Sequence, residues 1–178
     1  MLDGTLHTES KTTRPANVRL ATPADEQAIL AMTREGHAEN GIFSYDSDKI
    51  LAMIQKATQQ KGGLIGVIDG DDALAASVCL ILDSYWYTKE WCLTEVWAFV
   101  SKPYRSRRYY DDLVDFSKWC ADDMGLPLGM GIMSTHRTEA KVRLYKRKLT
   151  QIGANFMHSL EKAHGPVAIE LGRGKAPQ

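Results

Sequence analysis

The sequence predicts a mixed α/β fold, in which a mostly antiparallel central sheet contains one parallel strand pair and about four helices flank it. Two apolar runs, GLIGVID and ALAASVCLILD, flank the turn Asp69-Gly70-Asp71-Asp72, a strong hairpin signal. Residues 91–134 follow the pattern strand, helix, strand. This pattern predicts a βαβ unit with parallel strands. The element order is β-α-α-β-β-β-α-β-α-β-β.

The first elements follow a polar N-terminal stretch. VRLA (18–21) predicts a short strand, and a helix should begin with Thr22 as N-cap and Pro23 at its first position. The apolar face predicted for this helix consists of Ala24, Ala28, Met32 and Gly36. A second helix is expected over about 47–59, with Ile50, Met53, Ile54 and Ala57 on one stripe.

The second half of the chain holds the βαβ unit. A long strand is expected at about 91–100, followed by a helix that ends before Gly125 and Pro127. The apolar stripe of this helix is Tyr109, Leu113, Phe116, Cys120 and Met124. The remaining predicted elements are a strand at 128–134, a helix at 138–148, and strands at 155–160 and 167–171.

The composition is that of one globular domain. The chain has 178 residues, 44% apolar and 25% charged, enough to bury a core. We expect a disordered leader over 1–15, one domain over 16–171 and a flexible tail over 172–178. Basic and acidic residues both total 22, so the net charge gives no reason to expect a general nucleic-acid or membrane binder; a local basic patch remains open.

Three widely spaced cysteines, Cys79, Cys92 and Cys120, favour free thiols in a reducing compartment over disulfides or a metal site. No apolar run reaches the roughly 20 residues that a membrane-spanning helix needs. His136 and His158 have no partners at metal-ligand spacing. We therefore expect a cytoplasmic protein without a metal site.

The stretch SKPYRSRRYYDDLVDF (101–116) joins a strand to a helix through a turn with three arginines. A helix N-terminus offers unpaired N–H groups and a positive dipole end, so the turn can hold an anion. Phosphate-binding turns usually contain glycine, and this one has none. A phosphate site and a solvated basic surface are both consistent with the turn alone.

The run TEVWAFVSKPYRSRRYYDDLVDFSKWCADDMG, together with the element order, resembles the GCN5-related N-acetyltransferase (GNAT) superfamily. In that family a V-x-P-x-[RQ]-G-x-G-x-[GA]-like run leads into the helix that holds the pyrophosphate of acetyl-CoA. Residues 99–105 match the strand end, the proline and the leading arginine. The segment EAKVRLYKRKLTQIGANF is similar to the family's A-x-x-L-Y-x-x-x-G-F, at Leu144 and Tyr145. The resemblance covers about 18–171 and implies a splayed parallel strand pair.

The resemblance also implies how acetyl-CoA is held. Main-chain N–H groups near Phe99 and Val100 would face the thioester and the pantetheine arm. The turn residues expected to hold the pyrophosphate are Arg105, Ser106, Arg107, Arg108, Tyr109 and Tyr110. Arg108 and Tyr110 stand where the family has its two glycines. Arg108 can donate hydrogen bonds to phosphate itself, whereas Tyr110 should point elsewhere or narrow the groove.

Acetyl transfer to an amine needs a base for the amine, and the leaving thiolate benefits from an acid. Glu95 is the candidate base, because a carboxylate in an apolar strand can have a raised pKa; the alternative is a sheet-face carboxylate paired with a cation. Tyr145 matches the family tyrosine that acts as general acid. Its alternative is a helix tyrosine packed by its ring, with the hydroxyl in water.

Two further groups of residues are candidates for ligand contacts. Tyr85, Trp86 and Trp97 can wall an acceptor pocket or hold a cationic amine, although core and hairpin packing is the favoured interpretation. The helix near 138–148 carries Arg137, Lys141, Arg143, Lys146, Arg147 and Lys148. For these cations a solvated face is favoured over contacts with CoA phosphates or nucleic acid.

The resemblance thus implies an N-acetyltransferase that transfers the acetyl group of acetyl-CoA to a primary amine of a small molecule or protein, by direct attack in a ternary complex. The missing glycines and the basic helix motivate an alternative, a catalytically silent relative that binds a protein or nucleic acid. An enzyme of this fold with another acyl donor is a third hypothesis. A sheet edge near the C-terminus can pair in a homodimer.

Overall fold

The computed structural model describes residues 12–133 and 138–156. Its strands are β1 (Arg19–Leu20), β2 (Gly63–Asp69), β3 (Leu74–Asp83), β4 (Cys92–Val100) and β5 (Leu128–Gly129). Its helices are α1 (Glu26–Asn40), α2 (Ser47–Thr58), α3 (Tyr109–Met124) and α4 (Thr138–Lys148), with short 3₁₀ turns at Pro23–Asp25 and Lys102–Tyr104.

The five strands form one sheet in the order β1-β2-β3-β4-β5. The first three pairings are antiparallel, and β4 pairs with β5 in parallel. The predicted mixed sheet, hairpin and βαβ unit are therefore confirmed, as are the four helices. The strand expected at 128–134 is shorter, because only Leu128–Gly129 pair with β4 and residues 130–133 are not in a strand. The predicted strand at 167–171, the tail at 172–178 and residues 1–11 of the leader lie outside the described residues. The same holds for the strand at 155–160 beyond residue 156, and residues 155–156 are not in a strand.

Residues 12–15, which we assigned to the leader, contact α3. The Thr12 N–H donates to the Asp122 carboxylate at 2.9 Å. The Arg14 guanidinium lies 5.0 Å from the centre of the Trp119 ring, a cation–π distance.

The hydrophobic core has a cluster on each face of the sheet. On one face, Leu113 and Phe116 of α3 pack against Val78 and Leu80 of β3. On the other, residues of α1 and α2 pack against Cys79, which alternates with these two positions along the strand. The apolar face expected for the first helix is wrong in part: Ala24 and Ala28 are exposed, and the buried residues of α1 are Ile29, Leu30 and Met32.

Two glycines fix how α3 lies on the sheet. A Cβ atom on Gly66 would lie 2.5 Å from the Phe116 ring, so glycine in β2 lets this helix approach the sheet closely. Gly125 has φ +65° and ends α3 in the left-handed conformation, as its position in the sequence predicts. Gly66 thus allows α3 to lie close to the sheet, and Gly125 sets where the helix ends.

Candidate active site

A cleft opens where β4 and β5 separate. The parallel pairing joins only Leu93 to Leu128 and Thr94 to Gly129, so the predicted splayed pair is present. Glu95 is the next residue of β4 after this pairing ends. A backbone hydrogen bond from Gly131, which follows β5, reaches the Glu95 carboxyl. The carboxyl group therefore lies at the mouth of the cleft between the two strands.

A β-bulge in β4 decides which way Glu95 faces. Trp97 is opposite Cys79 and Glu95 is opposite Leu80, so Val96 is an extra residue without a partner. Directly opposite residues share a face of the sheet, which puts Glu95 on the α3 face and Trp97 on the α1 face. Without the bulge, positions 95 and 97 would share one face.

Three polar side chains from three elements meet in this cleft. The Tyr145 hydroxyl of α4 donates to the Glu95 Oε2 atom at 2.7 Å. The Tyr110 hydroxyl, from the first turn of α3, lies 3.3 Å from the Tyr145 hydroxyl. Tyr145 is only 7% exposed, so the alternative of a tyrosine with its hydroxyl in water is wrong. The contacts also do not support the alternative in which Glu95 pairs with a cation, because the hydrogen bonds of its carboxyl group come from Tyr145 and Gly131.

Burial raises the pKa of the Glu95 carboxyl to about 7, against the opposing effect of its hydrogen bonds and of the Lys141 charge. Burial also raises the pKa of the Tyr145 and Tyr110 hydroxyls well above the usual range, and the nearby Glu95 charge adds to both shifts. A carboxyl that titrates near neutrality beside a neutral phenol is suited to accept and return a proton.

The three residues open onto a cavity of about 1330 Å³. Lys141 of α4 also lines it, half-buried, and burial together with the charge of Arg105 lowers its pKa. This volume exceeds the roughly 300–1,000 Å³ of ordinary ligand pockets, so the cavity has room for a sizeable ligand.

The turn before α3 is held by Glu39, a residue near the C-terminal end of α1. The Arg105 guanidinium donates to Glu39 at 2.7 Å and to the Val100 carbonyl at 2.9 Å. Lys102 adds a second ion pair to Glu39 at 3.3 Å. Burial would raise the pKa of Glu39, but the hydrogen bonds from Arg105 and Lys102 outweigh it and lower the pKa. No local sequence pattern predicts this contact, because Arg105 and Glu39 are 66 residues apart in the chain.

The other candidate residues of the turn are closer to solvent. Ser106, Arg107 and Arg108 are exposed. Arg107 donates to the Tyr109 hydroxyl at 2.7 Å, and Arg108 forms an ion pair with Asp111 at 3.7 Å. Asp111 and Asp112 lie in the first turn of α3, where they weaken the attraction of the helix end for anions.

A cavity of about 190 Å³ lies between the end of β4, the turn and α4. Its walls include the cations Arg105, Arg107 and Lys141, the acid Glu39, and the apolar residues Ala98, Phe99, Val100, Ala140 and Leu144, with Tyr110 beside them. The excess of cations fits a phosphate or another anion. The size fits only a part of CoA, and the Tyr110 side chain stands where the family motif has glycine. The residues present thus suit the phosphates of CoA in a narrowed groove.

The aromatic residues take different positions. Trp97 donates to the Ser77 hydroxyl at 3.1 Å and packs against the core on the α1 face, and it also lines the large cavity. Tyr85, which lines the large cavity, is 50% exposed, and Trp86 is 94% exposed and stands against Tyr87. Core packing is therefore wrong for Trp86.

The basic helix is only in part the solvated face we expected. Lys148 is 18% exposed and pairs with Asp115 at 2.6 Å, and Lys141 faces the cleft. The expectation of a solvated side chain was wrong for Lys148 and Lys141. The sequence of α4 does not show the acids of α3 around Lys148 or the cleft beside Lys141. Arg143 does lie at the surface and pairs with Glu139. Arg137 is outside the described residues.

The three cysteines are free thiols, with Cys79 and Cys120 buried and Cys92 partly so. Among residues 12–133 and 138–156, no three His, Cys, Asp or Glu side chains are grouped so as to hold a metal ion. No helix in these two segments is long and apolar enough to span a membrane.

Solved structures of acetyltransferases share this fold. A possible acetyltransferase from Clostridium difficile 630 matches with a TM-score of 0.63 and 16% identity, over 79% of this chain and 94% of its own. An aminoglycoside N-acetyltransferase in complex with CoA matches with a TM-score of 0.63 and 10% identity, over 79% and 91%. The fold is thus that of the GNAT acetyltransferases, as the motifs indicated.

The fold similarity does not select one function. A transcriptional regulator from Bacillus halodurans C-125 matches with a TM-score of 0.59 and 16% identity, over 79% of this chain and 98% of its own. No family model matches the chain, and no curated protein matches its sequence. The residues in the cleft, and not the fold alone, therefore indicate the function.

Proposed function

We propose that the protein is an N-acetyltransferase that transfers an acetyl group from acetyl-CoA to a primary amine. The observation that carries this proposal is the hydrogen bond of 2.7 Å between Glu95 and Tyr145 at the point where β4 and β5 separate. The sequence made Glu95 a candidate base, as a carboxylate in an apolar strand, and Tyr145 a candidate acid by its motif match, and the two come from elements far apart in the chain. The shared fold of known acetyltransferases supports the same activity.

The cofactor would be held at the end of β4 and at the turn. The N–H groups near Phe99 and Val100 would face the pantetheine arm, and the cations Arg105 and Arg107 would contact phosphate. Both arginines line the smaller cavity, which supports this assignment. Acetyl-CoA, when bound, supplies the acetyl group as a thioester with a thiol leaving group.

Glu95 and Tyr145 would handle the protons. The Glu95 carboxylate accepts the proton that the attacking amine nitrogen must lose as the C–N bond forms. The Tyr145 hydroxyl gives a proton to the sulfur as the C–S bond breaks. Because the two groups are hydrogen-bonded, the proton on Glu95 can return to the Tyr145 oxygen, and the pair ends the cycle unchanged.

The acceptor would be an amine with an apolar or aromatic part, in the large cavity. Tyr85 and the loop with Trp86 lie at the end of β3, where exposed rings can contact a cationic amine. A small molecule and a protein amine both fit an open cleft of this kind.

The test is release of free CoA from acetyl-CoA in the presence of a panel of small amines and peptides. Tyr145→Phe should slow the transfer while the affinity for acetyl-CoA stays near that of the wild type. The proposal fails if no amine of either class is acetylated, or if Tyr145→Phe transfers at the wild-type rate.

A second candidate is a protein of this fold that binds a partner without acetyl transfer. Two observations favour it: Arg105 is engaged by Glu39, and the Tyr110 side chain narrows the groove. Binding of DNA or RNA that weakens with salt, by a protein that does not bind acetyl-CoA, would support this candidate over the first.

A further inference from the structure

Tyr110 forms the outer end of a row of hydrogen-bonded side chains in the cleft. Its ring centre lies 6.1 Å from that of Tyr145, and the two hydroxyl oxygens are 3.3 Å apart. Tyr145 reaches the Glu95 carboxyl at 2.7 Å. The three residues belong to α3, α4 and β4, so the row exists only in the folded chain.

The carboxylate sets the direction of the hydrogen bonds. An ionised carboxylate only accepts, so Tyr145 must use its single hydroxyl proton on Glu95. The Tyr145 oxygen keeps its lone pairs, and the Tyr110 hydroxyl, 3.3 Å away, can donate a hydrogen bond to one of them. Tyr110 therefore donates to Tyr145 whenever Glu95 is charged.

A hydroxyl that accepts a hydrogen bond becomes a stronger donor, because the two bonds polarise each other. The Tyr110 bond thus strengthens the bond from Tyr145 to the Glu95 carboxylate. It also stabilises the negative charge that the Tyr145 oxygen carries after it has given up its proton. Both effects act through Tyr145, since the contact of Tyr110 is with that residue.

We infer that Tyr110 is a positioning residue of this site, whose hydroxyl tunes the exchange of a proton between Tyr145 and Glu95. Its use in catalysis rests on the proposed acetyl transfer, but its effect on Glu95 does not. Tyr110 keeps its own proton throughout: the proton lost by Tyr145 is replaced from the Glu95 carboxyl. A tyrosine at this position thus adds a polar group that glycine lacks.

Other groups also act on Glu95. From the segment after β5 comes the Gly131 N–H, and from α4 the Lys141 ammonium. Lys141 in turn faces Arg105 and Glu39. Replacement of Tyr110 by phenylalanine leaves these groups in place and removes one oxygen atom.

The experiment is a carbon-13 NMR titration of the Glu95 carboxyl, which needs no acetyl-CoA. We expect Tyr110→Phe to raise the titration midpoint of the Glu95 carboxyl by up to about half a pH unit, because the hydrogen bond from Tyr145 to the carboxylate becomes weaker. Tyr145→Phe should raise it further. Tyr45→Phe is the control, because its hydroxyl bonds to Thr33 and to the Leu30 carbonyl, outside the row.

A double variant separates action through Tyr145 from any direct effect. In the Tyr145→Phe background, adding Tyr110→Phe should leave the Glu95 midpoint unchanged. The inference is overturned if Tyr110→Phe shifts the midpoint equally in both backgrounds, or if it shifts it no more than Tyr45→Phe does. Because acetyl-CoA is absent, a failure here is distinct from a failure of the proposed transferase activity.

Discussion

At the scale of single residues, the Glu95 carboxyl combines burial with a short hydrogen bond from Tyr145. Burial disfavours its charged form, and the Tyr145 hydroxyl and the Gly131 N–H favour it. The balance leaves a carboxyl group that is ionised in about half of the molecules near neutral pH, since its pKa is about 7.

This balance predicts the pH dependence of the activity. If Glu95 must be ionised to accept a proton, kcat/KM should rise through a pH of about 7 and level off above it. Glu95→Gln should lose this rise, and its rate should fall by roughly 10²- to 10⁴-fold. Glu139→Gln, an exposed acid of α4, is the control and should keep the profile. A wild-type profile without an inflection near neutrality would argue against Glu95 as the base.

The same pKa predicts a pH-dependent stability. The folded pKa of Glu95, about 7, lies above the unfolded value of 4.5, so the folded state binds this proton more tightly. Stability is therefore lost as the pH rises from the unfolded pKa to the folded pKa, and the cost is complete above it.

Glu95→Gln removes that cost, so its free energy of unfolding relative to the wild type should increase by about 1–3 kcal/mol between about pH 5 and about pH 8. Urea denaturation at both pH values measures it. A difference that stays constant with pH, or one matched by Glu139→Gln, would mean that folding does not perturb Glu95.

At the scale of elements, the turn between β4 and α3 is joined to the end of α1 by Glu39. A phosphate at this turn would compete with Glu39 for Arg105. Breaking a charge-assisted hydrogen bond costs about 1.5–3 kcal/mol, which lowers the affinity for the phosphate.

Glu39→Gln should therefore tighten acetyl-CoA binding by up to about tenfold, because it weakens the competitor by about 1.4 kcal/mol. Calorimetric affinities at low salt measure this. Glu35→Gln is a matched control: it removes the same charge from α1, but Glu35 accepts from the Lys102 N–H and not from Arg105. Equal gains in both variants would point to net charge alone, and no gain would mean that Arg105 does not contact the phosphate.

Among the features of these elements, some follow from the local sequence and others do not. The hairpin around Asp69-Gly70-Asp71-Asp72 and the end of α3 at Gly125 were predictable, because turn and cap residues act locally. Glu95 and Tyr145 were proposed as base and acid for separate reasons, the first as a carboxylate in an apolar strand and the second by its motif match. The bulge at Val96 and the contact between Arg105 and Glu39 were not predictable, since each depends on chain segments that are distant in sequence.

At the scale of the whole molecule, the sheet separates two clusters of core residues, and each cluster contains one buried cysteine. Cys79 is packed with α1 and α2, Cys120 lies on α3, and both are buried. Burial raises the pKa of both thiols to about 12, so they hold little reactive thiolate.

A thiol reagent should therefore label Cys92 first in the folded protein, and all three cysteines in urea. Mass spectrometry of the labelled peptides identifies the sites. Cys92→Ser is the control and should abolish the fast labelling. Rapid labelling of Cys79 without denaturant would contradict the packing of β3 against α1 and α2.

Acetyl-CoA binding is the central claim for the whole molecule, because the fold, the turn and the Glu95–Tyr145 pair acquire one function only if the cofactor binds. The most direct measurement is a calorimetric titration of the purified protein with acetyl-CoA. We predict saturable binding to one site, with a dissociation constant in the micromolar range. No heat of binding at millimolar acetyl-CoA, from a protein whose circular dichroism spectrum shows that it is folded, would contradict the claim.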